Sequence, residues 1–174
     1  AATLRALLTA VLRGASNLVP TQHASVFVAG EDDGSMVRAA QPHDELGKAM
    51  PTELDVTRIP DARAGIVGRV LMKNEIAMVA HAPSEPDFDR VVDSAPGYVI
   101  NSVLCAPVVG ASGRVLAAIL LCNKVDPKEQ KAAGGHATPE EFSPLDESAL
   151  VLLTSMFAPA LERHLEGNGL VPVR

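Results

Sequence analysis

Apolar residues recur at helical spacing from the start of the chain. Leu4, Leu7, Leu8, Val11, Leu12, Ala15, Leu18 and Val19 fall on one face over residues 3–19, and Pro20 stops the run. The period then drops to that of a strand over His23–Ala29. Asp32-Asp33-Gly34 reads as a turn, and Ser35 to Ala40 as the returning strand of a hairpin. Residues 41–60 carry prolines at 42, 51 and 60 and read as loop. A short helix is expected from Ala64-Gly65-Ile66-Val67-Gly68 to Met72, ended by Lys73-Asn74, followed by a strand from Ile76 to Ala80. Pro83 to Pro86 reads as loop and Asp87–Val92 as a short helix. Ser102–Val109 and Arg114–Asn123 read as strands joined tightly by Gly110-Ala111-Ser112-Gly113. Residues 125–141 hold Lys, Glu, Gln and Gly-Gly with little apolar content, the pattern of a solvated, mobile insertion. A last helix is expected from Ser143, with Ser143 as cap and Pro144 at its first position. It runs through Leu145, Leu152, Leu153, Met156, Phe157, Leu161 and Leu165, is bent at Pro159, and ends at Gly167 and Gly169.

This order predicts an α+β domain: an antiparallel sheet of five or six strands with the two terminal helices packed together on one face. The 174 residues suffice for one core, and the chain reads as a single domain, core about 3–165, cut from a longer protein. Composition changes the picture in two ways. With 47% hydrophobic but only 3% aromatic residues, the core must be aliphatic. A net charge of −6 disfavours nucleic acid and anionic membranes as partners. Cys105 and Cys122 lie in apolar strands without zinc or disulfide spacing, which reads as buried reduced thiols in the cytoplasm. Asp87, Asp89 and Asp93 lack the glycine and terminal acid of a calcium loop. The five histidines are scattered, and no catalytic triad shows in a local motif, so no metal, cofactor or catalytic residue is expected.

One feature asks for a partner. The apolar run Leu120-Leu121-Cys122 ends in Asn123-Lys124, and an ammonium at an apolar strand end needs an opposite charge. Asp146, early in the last helix after Phe142 and beside Glu147, is the candidate. The pair would clamp the last strand to the last helix.

With Ile59-Pro60, Gly65-Ile66-Val67-Gly68, Phe88, Asp93, Gly97-Tyr98, Leu104-Cys105-Ala106-Pro107, Asn123-Lys124, Phe142 and Asp146-Glu147 in this order, the chain resembles a GAF domain, most closely those of cyclic-nucleotide phosphodiesterases. The resemblance implies a GAF-like (PAS/GAF, profilin-like) six-stranded antiparallel sheet. The terminal helices lie on one face and short helices roof a pocket on the other. It further implies a regulatory sensor of a small molecule, cyclic AMP or cyclic GMP, with the phosphate at the start of the helix at Gly65, Ile66 and Val67. There, free amides and the positive helix end accept an anion. Ser25 matches a position that contacts the base, and Ala40 and Gln41 fall among the ligand-binding positions.

The chain also departs from the binding pattern. Asp89 stands where relatives have an aromatic contact, Pro96 and Ile100 where they have threonines, and Leu120 where an acid reads the base. These losses remove hydrogen-bond partners a purine needs. Two other uses of the fold follow from the resemblance: a ligand-free module that forms homodimers through the terminal helices, and a free methionine sulfoxide reductase. The cysteine pattern argues against the reductase.

Overall fold

The computed structural model describes residues 3–30, 34–41, 54–94, 97, 99–134 and 137–167. Pro96, Asp32, Asp33 and Gly169 lie outside the described residues. The elements are α1 (Leu4–Leu18), β1 (Thr21–Ala29), β2 (Met36–Ala40), β3 (Asp55–Ile59), α2 (Gly65–Lys73), β4 (Ala77–Val79), β5 (Val103–Val109), β6 (Val115–Lys124), α3 (Pro127–Ala132) and α4 (Pro144–Gly167). The six strands form one antiparallel sheet in the order β3-β2-β1-β6-β5-β4. The N-terminal hairpin therefore meets the C-terminal one along β1 and β6, the two longest strands, at its centre. Both are buried almost throughout, which is why they read as near-continuous apolar runs.

The pleat divides their side chains. Val26, Val28, Leu104, Ile119 and Leu121 join α1 and α4 in one buried cluster through Leu8, Leu12, Leu150, Phe157 and Leu161. Phe27, Cys105, Leu120 and Cys122 point the other way, into a cluster with Ile66, Val67 and Val70 of α2 and with Val92 and Ile100 from the segment 81–100. The sheet thus has a helix face and a roof face.

Four expectations need correction. The stretch 41–60 holds an edge strand, β3, which buries only Ile59 and so gives little apolar signal. The expected helix at Asp87–Val92 is a set of turns, because Asp89 Oδ1 accepts from the amides of Val91 (2.8 Å) and Val92 (3.0 Å) in competition with a helical ladder. Among the described residues, the one short helix of the roof besides α2 is a 3₁₀ turn, Ala82–Ser84, within what reads as loop. The insertion 125–141 is neither wholly solvated nor structureless. Asp126 caps α3 by accepting from the amides of Lys128 and Glu129, Gln22 Nε2 donates to the buried Ala137 carbonyl at 3.1 Å, and Glu140 bridges Lys124 at the end of β6.

The expected apolar stripe of the last helix also splits. Leu150, Phe157, Leu161 and Leu165 are buried against the sheet, whereas Leu145, Leu152 and Met156 are exposed.

Candidate functional site

The start of α2 is where an anion was expected, and an anion is there. It is the chain's own Asp93. Gly65 has φ +74°, a conformation that favours glycine, and a Cβ built on it would fall 2.5 Å from Asp93 Oδ2. The missing side chain lets the carboxylate reach the helix end. The amides of Ile66 and Val67 donate to Oδ2 (2.8 Å) and Oδ1 (3.2 Å), and the Asp89 amide donates to Oδ2 (2.9 Å). Asp93 is fully buried. Burial pushes its carboxyl up to about 6, against the downward pull of the three amides and with the charge of Asp89 adding to the rise. Ile66 and Val67 themselves are fully buried in the roof-face cluster.

Side chains, more than a backbone ladder, hold the roof segment. Arg69 of α2 pairs with Asp87 (3.1 Å) and Glu85 (3.5 Å). Arg38 Nη1 donates to the Val91 carbonyl at 3.3 Å. The main tether is Asn123, fully buried with φ +62°, a conformation asparagine tolerates better than most residues. Its Oδ1 accepts from the Asn101 amide (2.7 Å), and its Nδ2 donates to the Val99 carbonyl (2.7 Å) and to Gln22 Oε1 (2.8 Å). One side chain thus joins β6, the roof and β1.

The next residue serves the other face. Lys124 Nζ lies 2.7 Å from Asp146 Oδ2, and the same oxygen accepts from the Ser143 amide (2.7 Å) and hydroxyl (3.0 Å). The Asp146 amide in turn donates to Ser143 Oγ, a reciprocal cap on α4. Burial works to raise the Asp146 carboxyl, but Lys124 and the Ser143 donors outweigh it and hold the carboxyl below its ordinary value. Phe142 is buried in the helix-face cluster, and the Glu147 amide donates to the Ser143 carbonyl in the first turn.

A third arrangement lies across the roof face. Strand register sets Asp55, Ala40, Ser25, Leu120, Cys105 and Ala77 in one row. Three of the expected ligand positions, Ser25, Ala40 and Leu120, are therefore direct neighbours. Among the described residues, the fully buried Ser25 Oγ has no hydrogen-bond partner, and neither has the buried Nε2 of Gln41 just after β2. Ile100 joins Ile66, Val67 and Leu120 in the apolar cluster, whereas Asp89 is occupied in its own turn.

The sheet order, two-sided core and capped α2 can be set beside known proteins. The family model of the GAF domain matches residues 1–162. This chain belongs to the GAF domain family. Among solved structures, the GAF domain of a phosphoenolpyruvate-protein phosphotransferase from Coxiella burnetii is similar with a TM-score of 0.67 and 20% identity. The match covers 98% of this chain and 89% of that one. The corresponding Acinetobacter domain gives 0.66 and 18%, covering 94% and 84%. A type II free methionine-R-sulfoxide reductase from Thermoplasma acidophilum gives 0.63 and 16%, covering 92% and 93%. At such identities the likeness speaks for the fold alone.

Within this GAF domain, Cys105 and Cys122 are free thiols buried beneath α2. Burial, with the nearby Asp93 charge, pushes the Cys122 thiol up to about 12 and the Cys105 thiol well above its ordinary value. Among the described residues, no group of three His, Cys, Asp or Glu side chains is placed to hold a metal ion, and no helix is long and apolar enough to cross a membrane. Sequence reasoning missed the burial of Asp93 and the reach of Asn123. The signal for the second was an asparagine, rather than an apolar residue, at the inner end of a buried strand.

Proposed function

We propose that this GAF domain is a regulatory, non-catalytic sensor whose ligand lies on the roof face beside β1 and β2, with Ser25 and Gln41 as its hydrogen-bond partners. The observation that carries this reading is the fully buried Ser25 hydroxyl, which has no hydrogen-bond partner among the described residues. Such a group costs about 1–3 kcal/mol, a cost a ligand acceptor or donor would remove. Raised thiol pKa values leave little thiolate for sulfoxide reduction, which supports a regulatory over an enzymatic role. Free thiols also fit a reducing compartment such as the cytoplasm.

Cyclic AMP and cyclic GMP are the first ligands to test. The residue pattern from Gly65 to Asp146-Glu147 supports them. Asp93 sets a condition on them: a phosphate reaches the α2 amides only where the Asp93 carboxylate gives way. Calorimetric titration of each nucleotide into the parent and into Ser25→Ala tests the reading. Binding by the parent, weakened about tenfold in Ser25→Ala, is expected from a lost buried hydrogen bond. Flat titrations with both nucleotides remove them as ligands. Equal binding by parent and variant removes Ser25 from the site.

A second reading rests on a separate observation. Leu145, Leu152 and Met156 are exposed on one side of α4, at 79%, 59% and 69%. Their spacing suits a helix-mediated homodimer. Light scattering at two concentrations, on the parent and on Leu152→Glu, checks it: a dimer that the substitution dissociates supports it, and a monomer at both concentrations removes it.

A further inference from the structure

We infer that the helix face carries a second binding site, a groove that takes the hydrocarbon chain of a short free acyl carboxylate and holds its head group at Arg5. The groove lies where α1 begins and α4 nears its end over β1, β2 and β3, and encloses about 270 Å³. Leu8, Val28, Leu54 and Leu165 are buried along it, and the exposed Val56 of the edge strand lines it as well. Among the described residues that line the groove, Arg5 is the single charged side chain and none is acidic. Arg5 Nη2 donates to the Leu54 carbonyl at 3.1 Å, which fixes the guanidinium at the rim and uses one of its five donors.

Aliphatic walls give no partner to a polar body, so the occupant must be apolar along its length. A guanidinium fork at the rim matches a carboxylate in shape and charge. The volume falls at the lower edge of the range for small-molecule pockets, about 300 Å³ and upward, which selects a short chain over a long one. No residue of this groove belongs to the roof-face site, so the two stand or fall separately.

The test is a titration of hexanoate, octanoate and decanoate into the whole chain, followed by NMR shifts or calorimetry, with decanol as the headless control. Affinity should rise about fourfold per added methylene until the groove is full. Val56→Asp, at an exposed edge position that tolerates charge, should abolish carboxylate binding by repulsion. Arg5→Gln should weaken the carboxylates several-fold and leave decanol unchanged. Decanol binding the parent as tightly as decanoate overturns the assignment of the head group to Arg5. Absence of binding, no dependence on chain length, full binding by Val56→Asp, or binding that begins only where the carboxylate self-associates each overturns the site.

Discussion

On the helix face, Val26, Ile119 and Leu121 meet Leu12, Phe157 and Leu161, two long helices lie on the sheet, and the ion pair Lys124–Asp146 sits at the margin. On the roof face the same strands turn Ser25, Cys105 and Cys122 toward one short helix and a coil, with Asp93 and Asn123 buried among them. The helix face is held by area, which is non-directional and forgiving of small shifts. The roof is held by a few directional bonds to side chains, each with few substitutes. A cover held in this way can have two arrangements of similar energy, as a ligand-responsive element requires. The two acids mark the contrast: the one on the helix face is held below its ordinary pKa, and the one under the roof is pushed above it.

The largest effect is expected where one side chain holds the roof to the sheet. Asn123→Ala removes three side-chain bonds, leaving Gln22 unpaired in a buried place and the Asn101 amide and Val99 carbonyl unpaired in a part-buried one. It also forces alanine into a left-handed conformation. A loss of about 4 kcal/mol is expected, seen as a fall in Tm of roughly 8–16 °C. Asn123→Gly, free of the backbone strain, should recover about 1 kcal/mol of that. A helix-sized loss with the roof still protected in hydrogen exchange would show that area, not Asn123, holds this face.

The next effect depends on pH, and its sign separates the faces. Between its unfolded value near 3.8 and its folded value of about 6, Asp93 keeps a proton in the folded chain that the unfolded chain has released. Its contribution is therefore fully present below about pH 4 and is lost as pH rises through 6, by about 3 kcal/mol in all. The difference in Tm between the parent and Asp93→Asn should shift by roughly 6–12 °C in the variant's favour across that window. A difference that stays flat with pH would mean that the three amides cancel the effect of burial, and one that moves in the parent's favour that the amides control the carboxyl.

Asp146 should behave in the opposite sense. Its carboxyl is depressed, so its contribution is present above the ordinary carboxylate range and is lost as pH falls through its folded value. Asp146→Ala breaks a partly exposed ion pair and a helix cap together, for which about 2 kcal/mol is expected near neutral pH. The gap between parent and variant should close in acid. A melt unchanged from the parent at pH 7 would remove the clamp between β6 and α4.

The legible parts of the chain were those where area decides. The apolar periods of α1, β1, β5, β6 and α4 mark the central elements because burial on both faces writes itself into composition. β3 escapes the apolar pattern because an edge strand buries little, and the turns at Asp87–Val92 resemble a helix because two acids ahead of an apolar pair look like a helix start. The anion preference of the α2 start follows from Gly65-Ile66-Val67-Gly68. That Asp93 fills it does not, since the rest of α2, β4 and the turns of the roof separate the two, and nothing periodic marks their meeting. Lys124–Asp146 could be anticipated from charge placed where charge is costly. The bonds of Asn123 could not be assigned, because an amide has many partners to choose from.

The smallest predicted effect bears most directly on the roof as a binding face. The Ser25 hydroxyl is buried without a partner among the described residues, so replacing it by a methyl-sized group removes a cost and no bond seen there. Ser25→Ala should therefore raise stability by about 1 kcal/mol, or 2–4 °C in Tm, an unusual sign for a buried polar truncation. The same substitution at Ser102, whose Oγ donates to the Glu140 carbonyl at 2.6 Å and accepts from the Lys124 amide, should lower it by a similar amount. If both serines destabilise alike, the Ser25 hydroxyl has a partner within the protein. The roof face would then be as closed as the helix face, and a buried position that favours stability over bonding would no longer distinguish it.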